Sequence, residues 1–439
     1  MSDKLAMFGG PRTVHRADVT ADRIGWPVVT DAEHAAVRGV FDKGLYTSND
    51  AGRGEVSALQ RDWAQYVGVR HCAAVANGTA ALELALAALD LEPGAEVLVP
   101  ALTFIGSAVP IAQRGLVPVF VDIDPDTYTI DPVAAAAAIT PRTRAVIAVH
   151  LHGLPCDMAA LRSLAERHGL HVIEDAAQAQ GARYQGRRTG SFGAVNATSL
   201  NVVKNLPTCG EGGLITTDDE DLYERVVLHR QFGEDLRAGR ERDYLSRVLA
   251  GNAKLSAVQA AFTRCQLARL DADSERRDTV VRGFLGRLAE LPGLRVPVCP
   301  DDRTHAWHIL RLRFDPEPLD AVGVASGALR AVLQRALRAE GVPVQPYQIV
   351  PLPGQPAFRR TADPTRAYRV EDHPVSAAVI EDSVTLQRWH LNPACGPVLD
   401  ACADAFEKVW ANLPRLLPVA RSMDYRPPWH AALALEGAA

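Results

Sequence analysis

The chain has 439 residues, of which 47% are hydrophobic, 23% charged and 6% aromatic. That is enough apolar material for a large core spread over two or more domains, so disordered and fibrous classes are excluded. Lys+Arg 47 against Asp+Glu 52 gives a formal charge of −5, which leaves no basic surplus to displace counterions, and no nucleic-acid partner is expected. The start, Met1 to Ala6, has no extended apolar run, and the most apolar window, Val97 to Ala112, is broken by Pro100, Gly106 and Pro110. No signal segment or membrane contact is expected. Seven cysteines at scattered positions, with no CxxC pair and no metal-ligand spacing, predict a reduced, cytoplasmic protein without a metal site.

An N-terminal arm, 1–30, comes first. From Asp31 to Thr217 short apolar runs alternate with helical stretches, the pattern of a mostly parallel sheet covered on both faces. The expected strands are Cys72–Ala76, Glu96–Val99, Pro118–Asp122, Ala145–Leu151, His171–Asp175, Val195–Leu200 and Leu214–Thr217, with helices at Thr79–Leu89, Phe104–Arg114, Pro132–Ala138 and Met158–His168. A long periodic segment, Leu255 to Leu291, reads as a helix leaving this large domain, 31–272. The run Pro292 to Pro300, with three prolines and a glycine, then marks a change of style. Trp307–Phe314, a helix at Gly327–Glu340 and another near Val398–Leu413 suggest a smaller α+β domain, 273–420, followed by a tail, 421–439. The fold class is α/β.

Three places carry candidate chemistry. Asn77-Gly78-Thr79 follows an apolar strand and opens a helix, so its backbone amides suit a phosphate; the same residues also read as a simple helix cap. Glu174-Asp175 ends a strand, and alternation puts the two carboxylates on opposite faces, where one faces a site or both are merely solvated in a turn. Lys204 stands between apolar residues and the turn Gly210-Glu211-Gly212-Gly213 in a chain whose only lysines are Lys4, Lys43, Lys204, Lys254 and Lys408. Arg cannot lose its proton, whereas a desolvated Lys becomes a nucleophilic amine; Lys4, Lys43 and Lys408 read as surface charges. The order of phosphate cup, aromatic turn at Phe104, strand-end acid, Ser199 and lysine describes a pyridoxal phosphate site.

The strings Glu174-Asp175-Ala176-Ala177-Gln178-Ala179, Ser199 through Lys204 to Gly213, Asn77 to Leu82, Thr103-Phe104, Val119 to Asp124, His150-Leu151-His152-Gly153 and Asn252 with Gln259-Ala260-Ala261 resemble the DegT/DnrJ/EryC1/StrS aminotransferases, from about residue 25 to 415. The resemblance implies a fold type I pyridoxal phosphate enzyme that aminates keto sugars or keto cyclitols in specialised metabolism. It implies that Lys204 forms the Schiff base with the cofactor and later moves the proton, that Asp175 pairs with the pyridinium nitrogen, that Gln178 contacts the phenolic side and that Phe104 stacks on the ring. Gly78, Thr79 and Ser199 would hold the phosphate, and Asn252 would reach the phosphate of a neighbouring subunit, which implies a homodimer. The amino donor is expected to be Glu or Gln.

Some positions depart from the family pattern. Gln180 stands where many relatives have His, Leu200 where Phe is common, and Gly341 to Tyr347 lacks a His-Tyr pair. Trp389-His390 faintly resembles the branch acting on cyclitols and aminohydroxybenzoate precursors. Phe104, Trp307 and His308 also read as packed core residues, and the charged loop Glu234 to Asp243 reads either as a segment that binds substrate across the dimer or as a solvated surface. The competing functions are an aromatising synthase of the aminohydroxybenzoate type, with the same lysine and another acceptor pocket, and a cofactor-binding regulatory protein without turnover.

Overall fold

The computed structural model describes residues 4–48, 52–235, 242–361, 368–387 and 389–430. Five strands, β1 (His71–Val75), β2 (Glu96–Pro100), β3 (Val117–Val121), β4 (Thr143–Val149) and β5 (His171–Asp175), precede a small ribbon, β6 (Arg183–Tyr184) and β7 (Arg187–Arg188). Two more follow, β8 (Val195–Ser199) and β9 (Gly213–Thr217). The main sheet has the order β1-β9-β8-β5-β4-β2-β3. Only β9 runs against its neighbours, pairing antiparallel with both β1 and β8, so the other six strands all end at one edge. Their near-continuous apolar runs have the physical cause proposed from sequence: Val97, Leu98 and Val99 of β2 are all fully buried, as strands covered by helices on both faces require. Each strand lies where the pattern places it, with ends displaced by a residue or two.

One expected helix changes form. Phe104–Arg114 is a short 3-10 turn, Ile105–Ser107, followed by a helix at Val109–Gln113. Phe104 itself is extended (φ −70°, ψ 141°), and Pro110 sits in the first turn of the helix, where its missing N–H costs nothing.

The 33-residue helix Ala257–Ala289 starts at a capping box formed by Ser256 and Gln259. Its first half contributes Ala257, Ala260, Ala261 and Leu270 to a core shared with the helices Asp31–Lys43 and Glu55–Val67. Its second half contributes Val281, Phe284, Leu285 and Leu288 to a separate core. The position 272/273, expected to divide the chain, falls between those two sets. Around the second core lies a three-stranded sheet, β10 (Leu294–Arg295), β11 (Ile309–Phe314) and β12 (Ser383–Gln387), in the order β10-β11-β12. The strand expected from Trp307 starts at Ile309, because Trp307 takes a left-handed backbone (φ 52°) and its N–H is held by His305 Nδ1 at 2.9 Å.

Segments near both ends of the described residues are anchored. In the N-terminal arm, Leu5 and Val14 are buried in the second core, while the buried Glu340 accepts from Ala6 N (2.7 Å), Thr13 N (3.1 Å), Thr13 Oγ1 (2.9 Å) and Lys408 Nζ (2.9 Å). Lys408 is therefore part of a clamp and not the surface charge its sequence suggests. The stretch after Arg421, expected as a tail, is corrected in the same way: Trp429 is 5% exposed and belongs to the main core that also holds Val350, Leu352 and Phe358. Residues 431–439 lie outside the described residues.

Glu174 is a structural acid. Its carboxylate is wholly buried and accepts from His150 Nε2 (2.8 Å), Gly190 N (2.8 Å), Gly193 N (3.1 Å) and Phe192 N. Cys156 N donates into His150 Nδ1 (3.1 Å), so the ring presents its Nε2–H to Glu174. Burial raises the Glu174 pKa, but the His150 contact and the backbone donors outweigh it and hold the carboxyl below its ordinary range. Glu174→Ala strands these buried donors, each at roughly 1–3 kcal/mol, and a loss of at least about 3 kcal/mol is expected in denaturant unfolding. A loss under about 1 kcal/mol would contradict this assignment.

Candidate functional site

The carboxyl ends of β1, β8, β5 and β2 share one edge of the sheet, the edge at which α/β folds collect ligands. A cavity of about 740 Å³ opens there. After β1 the chain turns into the helix Gly78–Leu89, whose N-cap is Asn77. Asn77 Oδ1 accepts from Ala80 N (2.8 Å) and Asn77 O from Ala81 N (3.0 Å). The helix-cap reading therefore holds for the Asn77 side chain. The two preceding N–H groups, on Gly78 and Thr79, belong to residues that line the cavity and remain available at the positive end of the helix dipole. Gly78 packs so closely on the end of β8 that a Cβ there would lie 2.7 Å from Ser199 Cβ. Ser199 lines the same corner.

The end of β5 separates two roles. Alternation sends Glu174 into the buried network described above and Asp175 into the cavity; neither is a solvated turn acid. Asp175 Oδ2 accepts from Ser107 Oγ (2.7 Å) and Oδ1 from Ala177 N (3.1 Å). Ser107 Oγ is also 3.0 Å from Thr103 Oγ1. Since Ser107 spends its hydrogen on Asp175, Thr103 is the donor in that pair.

Lys204 lies in the loop between β8 and β9. That loop is stapled by Leu200 N to Gly212 O (2.7 Å), Val202 N to Gly210 O (2.9 Å) and Thr208 N to Leu200 O (2.7 Å). Trp26 Nε1 donates to the Lys204 carbonyl at 2.9 Å, so the N-terminal arm braces the loop. The side chain lines the cavity with Asp175 and Glu211. Burial lowers its pKa to about 8 even though the Asp175 and Glu211 carboxylates pull the other way.

Gln178 also lines the cavity, with Oε1 held by His152 N (2.7 Å) and Nε2 3.4 Å from Tyr347 Oη. Phe104 is 56% exposed and lines the cavity, so it is not a core aromatic. Trp307 is: it belongs to the second core, and its Nε1 donates to Asp278 (2.6 Å). His308 is different again, forming part of the cavity wall. His390 is fully buried with Nε2 2.8 Å from Trp307 O, so it packs behind the wall.

Thus Gly78, Thr79, Phe104, Asp175, Gln178, Ser199 and Lys204 meet around one cavity. Asn252 does not line it. It is exposed and bridges to Gln231. Of the charged loop, residues 236–241 lie outside the described residues, and its flanks are joined by Arg242 to Glu234 at 2.5 and 2.8 Å. Sequence reasoning missed Ser107, Tyr347, Gln387 and Trp26, and named Glu211 only as part of the glycine-rich turn after Lys204.

Comparison with known proteins identifies the family. Residues 21–391 match the model of the DegT/DnrJ/EryC1/StrS aminotransferase family. The dTDP-3-amino-3,4,6-trideoxy-alpha-D-glucose transaminase of Streptomyces venezuelae is 38% identical over 330 residues, 75% of this chain and 81% of that one. Among solved structures, DesV of S. venezuelae, in complex with a ketimine intermediate, has a TM-score of 0.73 at 34% identity and covers 91% of this chain and 99% of its own. A 3-amino-5-hydroxybenzoic acid synthase has a TM-score of 0.77 at 31% identity, covering 87% and 97%. The fold is that of the pyridoxal-phosphate-type aminotransferases, and the chain belongs to the DegT/DnrJ/EryC1/StrS aminotransferase family.

Proposed function

We propose that this aminotransferase uses pyridoxal phosphate to move an amino group from Glu or Gln to the keto group of a sugar or cyclitol. The observation that carries the reading is the placement of Lys204 and Asp175 on one cavity whose corner is the start of a helix. The residues fit the cofactor on three independent features. The Gly78 and Thr79 amides and the Ser199 hydroxyl suit a phosphate, and Gly78 is needed because a Cβ would fill that corner. The Asp175 carboxylate is aimed by Ser107 and Ala177. Burial lowers the Lys204 pKa to about 8, so a large share of the amine is neutral near that pH. Phe104 offers an open aromatic face and Gln178 a fixed amide.

Bound pyridoxal phosphate supplies an aldehyde and a protonated ring that spreads the charge of a deprotonated substrate carbon. Asp175 would pair with the ring nitrogen of the bound cofactor and keep it protonated; such a charge-assisted bond contributes roughly 1.5–3 kcal/mol. Lys204 Nζ, when free, takes a proton from one carbon and returns it to another, and its lowered pKa suits both directions. Thr103 and Ser107 keep Asp175 from turning away.

The active unit is a homodimer. Phe232, next to Asn252's bridging partner Gln231, and Tyr244, Leu245 and Leu249 before Asn252 are each exposed, Leu249 at 97%. Asn252 sits outside the cavity of its own chain, so its expected phosphate contact needs a second copy. The protein works in the cytoplasm, in keeping with seven free cysteines; no helix among the described residues is long and apolar enough to cross a membrane. The sugar transaminases among the relatives support a sugar acceptor over an aromatising reaction, and assays with the two acceptor classes separate them.

Borohydride reduction of the pyridoxal-phosphate-loaded protein followed by peptide mapping should tag Lys204, and Lys204→Ala should lose the tag and slow donor-dependent conversion of the cofactor by about 10²–10⁴-fold or more. A tag elsewhere overturns the reading. The neutral amine is the reactive form, so cofactor uptake by the cofactor-free protein should rise with pH through a midpoint near 8; a midpoint above about 10, the ordinary lysine range, would contradict the burial argument. Ser107→Ala removes one of two donors to Asp175, and about a tenfold or greater loss of donor conversion is expected in single turnovers, with the Lys204 tag retained.

A further inference from the structure

The cavity wall holds a histidine to which the reading above gives no task. His308 precedes β11, is 6% exposed and lines the cavity. Its backbone is fixed: His308 N donates to His152 O (2.9 Å) and Ala306 N to Gly153 O (2.8 Å). The fit is tight, since a Cβ on Gly153 would lie 3.0 Å from Trp307 N and 3.1 Å from His308 N.

Its ring is fixed by the residue next to Lys204. Asn205 is 2% exposed. Its Nδ2 donates to Ala306 O at 2.6 Å, and its Oδ1 lies 3.0 Å from His308 Nδ1. The Ala306 carbonyl can only accept, so the Asn205 amide cannot be turned over without facing oxygen to oxygen. Oδ1 must therefore face the imidazole, and Nδ1 must carry the hydrogen. Burial, reinforced by Lys204, His390, His152 and Arg277, pushes the His308 pKa well below its ordinary value, so the ring is neutral and Nε2 is a bare lone pair. Among the described residues no hydrogen bond reaches that atom. His308 lines the same cavity as Lys204.

We propose that Asn205 and His308 form a positioning pair for Lys204: Asn205 sets the imidazole tautomer, and His308 Nε2 accepts a hydrogen bond from the lysine amine whenever that amine is free. A neutral acceptor orients the amine without adding a charge that would compete with Asp175. This also explains why the residue after the lysine is tied to a segment about a hundred positions away. The inference rests on the role given to Lys204 above.

The test uses the full-length protein loaded with pyridoxal phosphate, and single turnovers with L-glutamate and with Cα-deuterated L-glutamate. His308→Asn keeps a donor for Asn205 and removes the acceptor at the far side of the ring; His308→Gln restores an acceptor there; Asn205→Ala frees the tautomer. All three should retain bound-cofactor absorbance and the borohydride tag at Lys204. Conversion should fall about tenfold in His308→Asn and Asn205→Ala, with half-saturating glutamate unchanged and the deuterium effect enlarged, because proton transfer becomes slower relative to binding. His308→Gln should recover most of the rate, and the double variant should be no slower than either single one. Wild-type kinetics and isotope effect in His308→Asn would overturn the positioning pair while leaving Lys204 in its role. A fall in cofactor occupancy with an unchanged isotope effect would overturn it too, showing a structural role. A wild-type protein that converts no cofactor with glutamate or glutamine would instead remove the reading of Lys204, and the pair with it.

Discussion

The architecture of the site depends on a close approach of three strand ends that only small residues permit. Gly213, the first residue of β9, pairs with Val75 at the end of β1 and with Ser199 at the end of β8. A Cβ on Gly213 would lie 2.5 Å from Asn77 O, a distance no side chain tolerates. Gly78 meets Ser199 from the other side under the same restriction. Two glycines thus bring a helix start, a serine hydroxyl and the lysine-bearing loop to one corner. The glycine-rich turn after Lys204 is the sequence trace of this packing.

The second determinant is the pleat of β5, which assigns opposite fates to adjacent carboxylates. Glu174 meets His150 and the backbone of residues 190–193 and stabilises the fold. Asp175, one residue on, meets two donors and the cavity. A one-residue slip of register would exchange them, burying the wrong acid and leaving the donors of Gly190 and Phe192 unmatched. Pairing of β5 with β4 at Ala148–Glu174 and Val149–Asp175 is therefore a condition for having a site as well as a sheet.

The sheet was readable because its strands are buried on both faces and so appear as unbroken apolar runs of fixed length. Lys204 was readable because the chain otherwise prefers Arg. What could not be read were contacts that join distant segments: Trp26 to the Lys204 carbonyl, Ser107 to Asp175, Asn205 to His308. Nothing in local pattern distinguishes a serine that orients a carboxylate from one that caps a turn. The exposure of Phe104 was hidden for another reason, since an aromatic after a buried strand resembles core until the loop around Gly106 is seen to leave it outside. Asp175 and Glu174 were separable in principle by alternation alone, but which face held the cavity required the neighbouring strands. The docking of Trp429 after two prolines had no periodic signal at all.

The back wall of the cavity comes from the part of the chain that follows the long helix, yet it is not attached as a mobile lid. Backbone hydrogen bonds from Ala306 and His308 to Gly153 and His152 continue the loop after β4 into the segment before β11, and Arg311 of β11 donates to His152 Nε2 at 2.9 Å. His152 in turn fixes Gln178 through its own N–H. One buried guanidinium thereby anchors a turn, and that turn anchors a residue of the cavity wall. Because the helix Ala257–Ala289 is also shared between the two cores, displacement of this wall would disturb both at once. Groups held in this way lose little further freedom when a ligand arrives, which is the condition under which modest hydrogen bonds act with full effect.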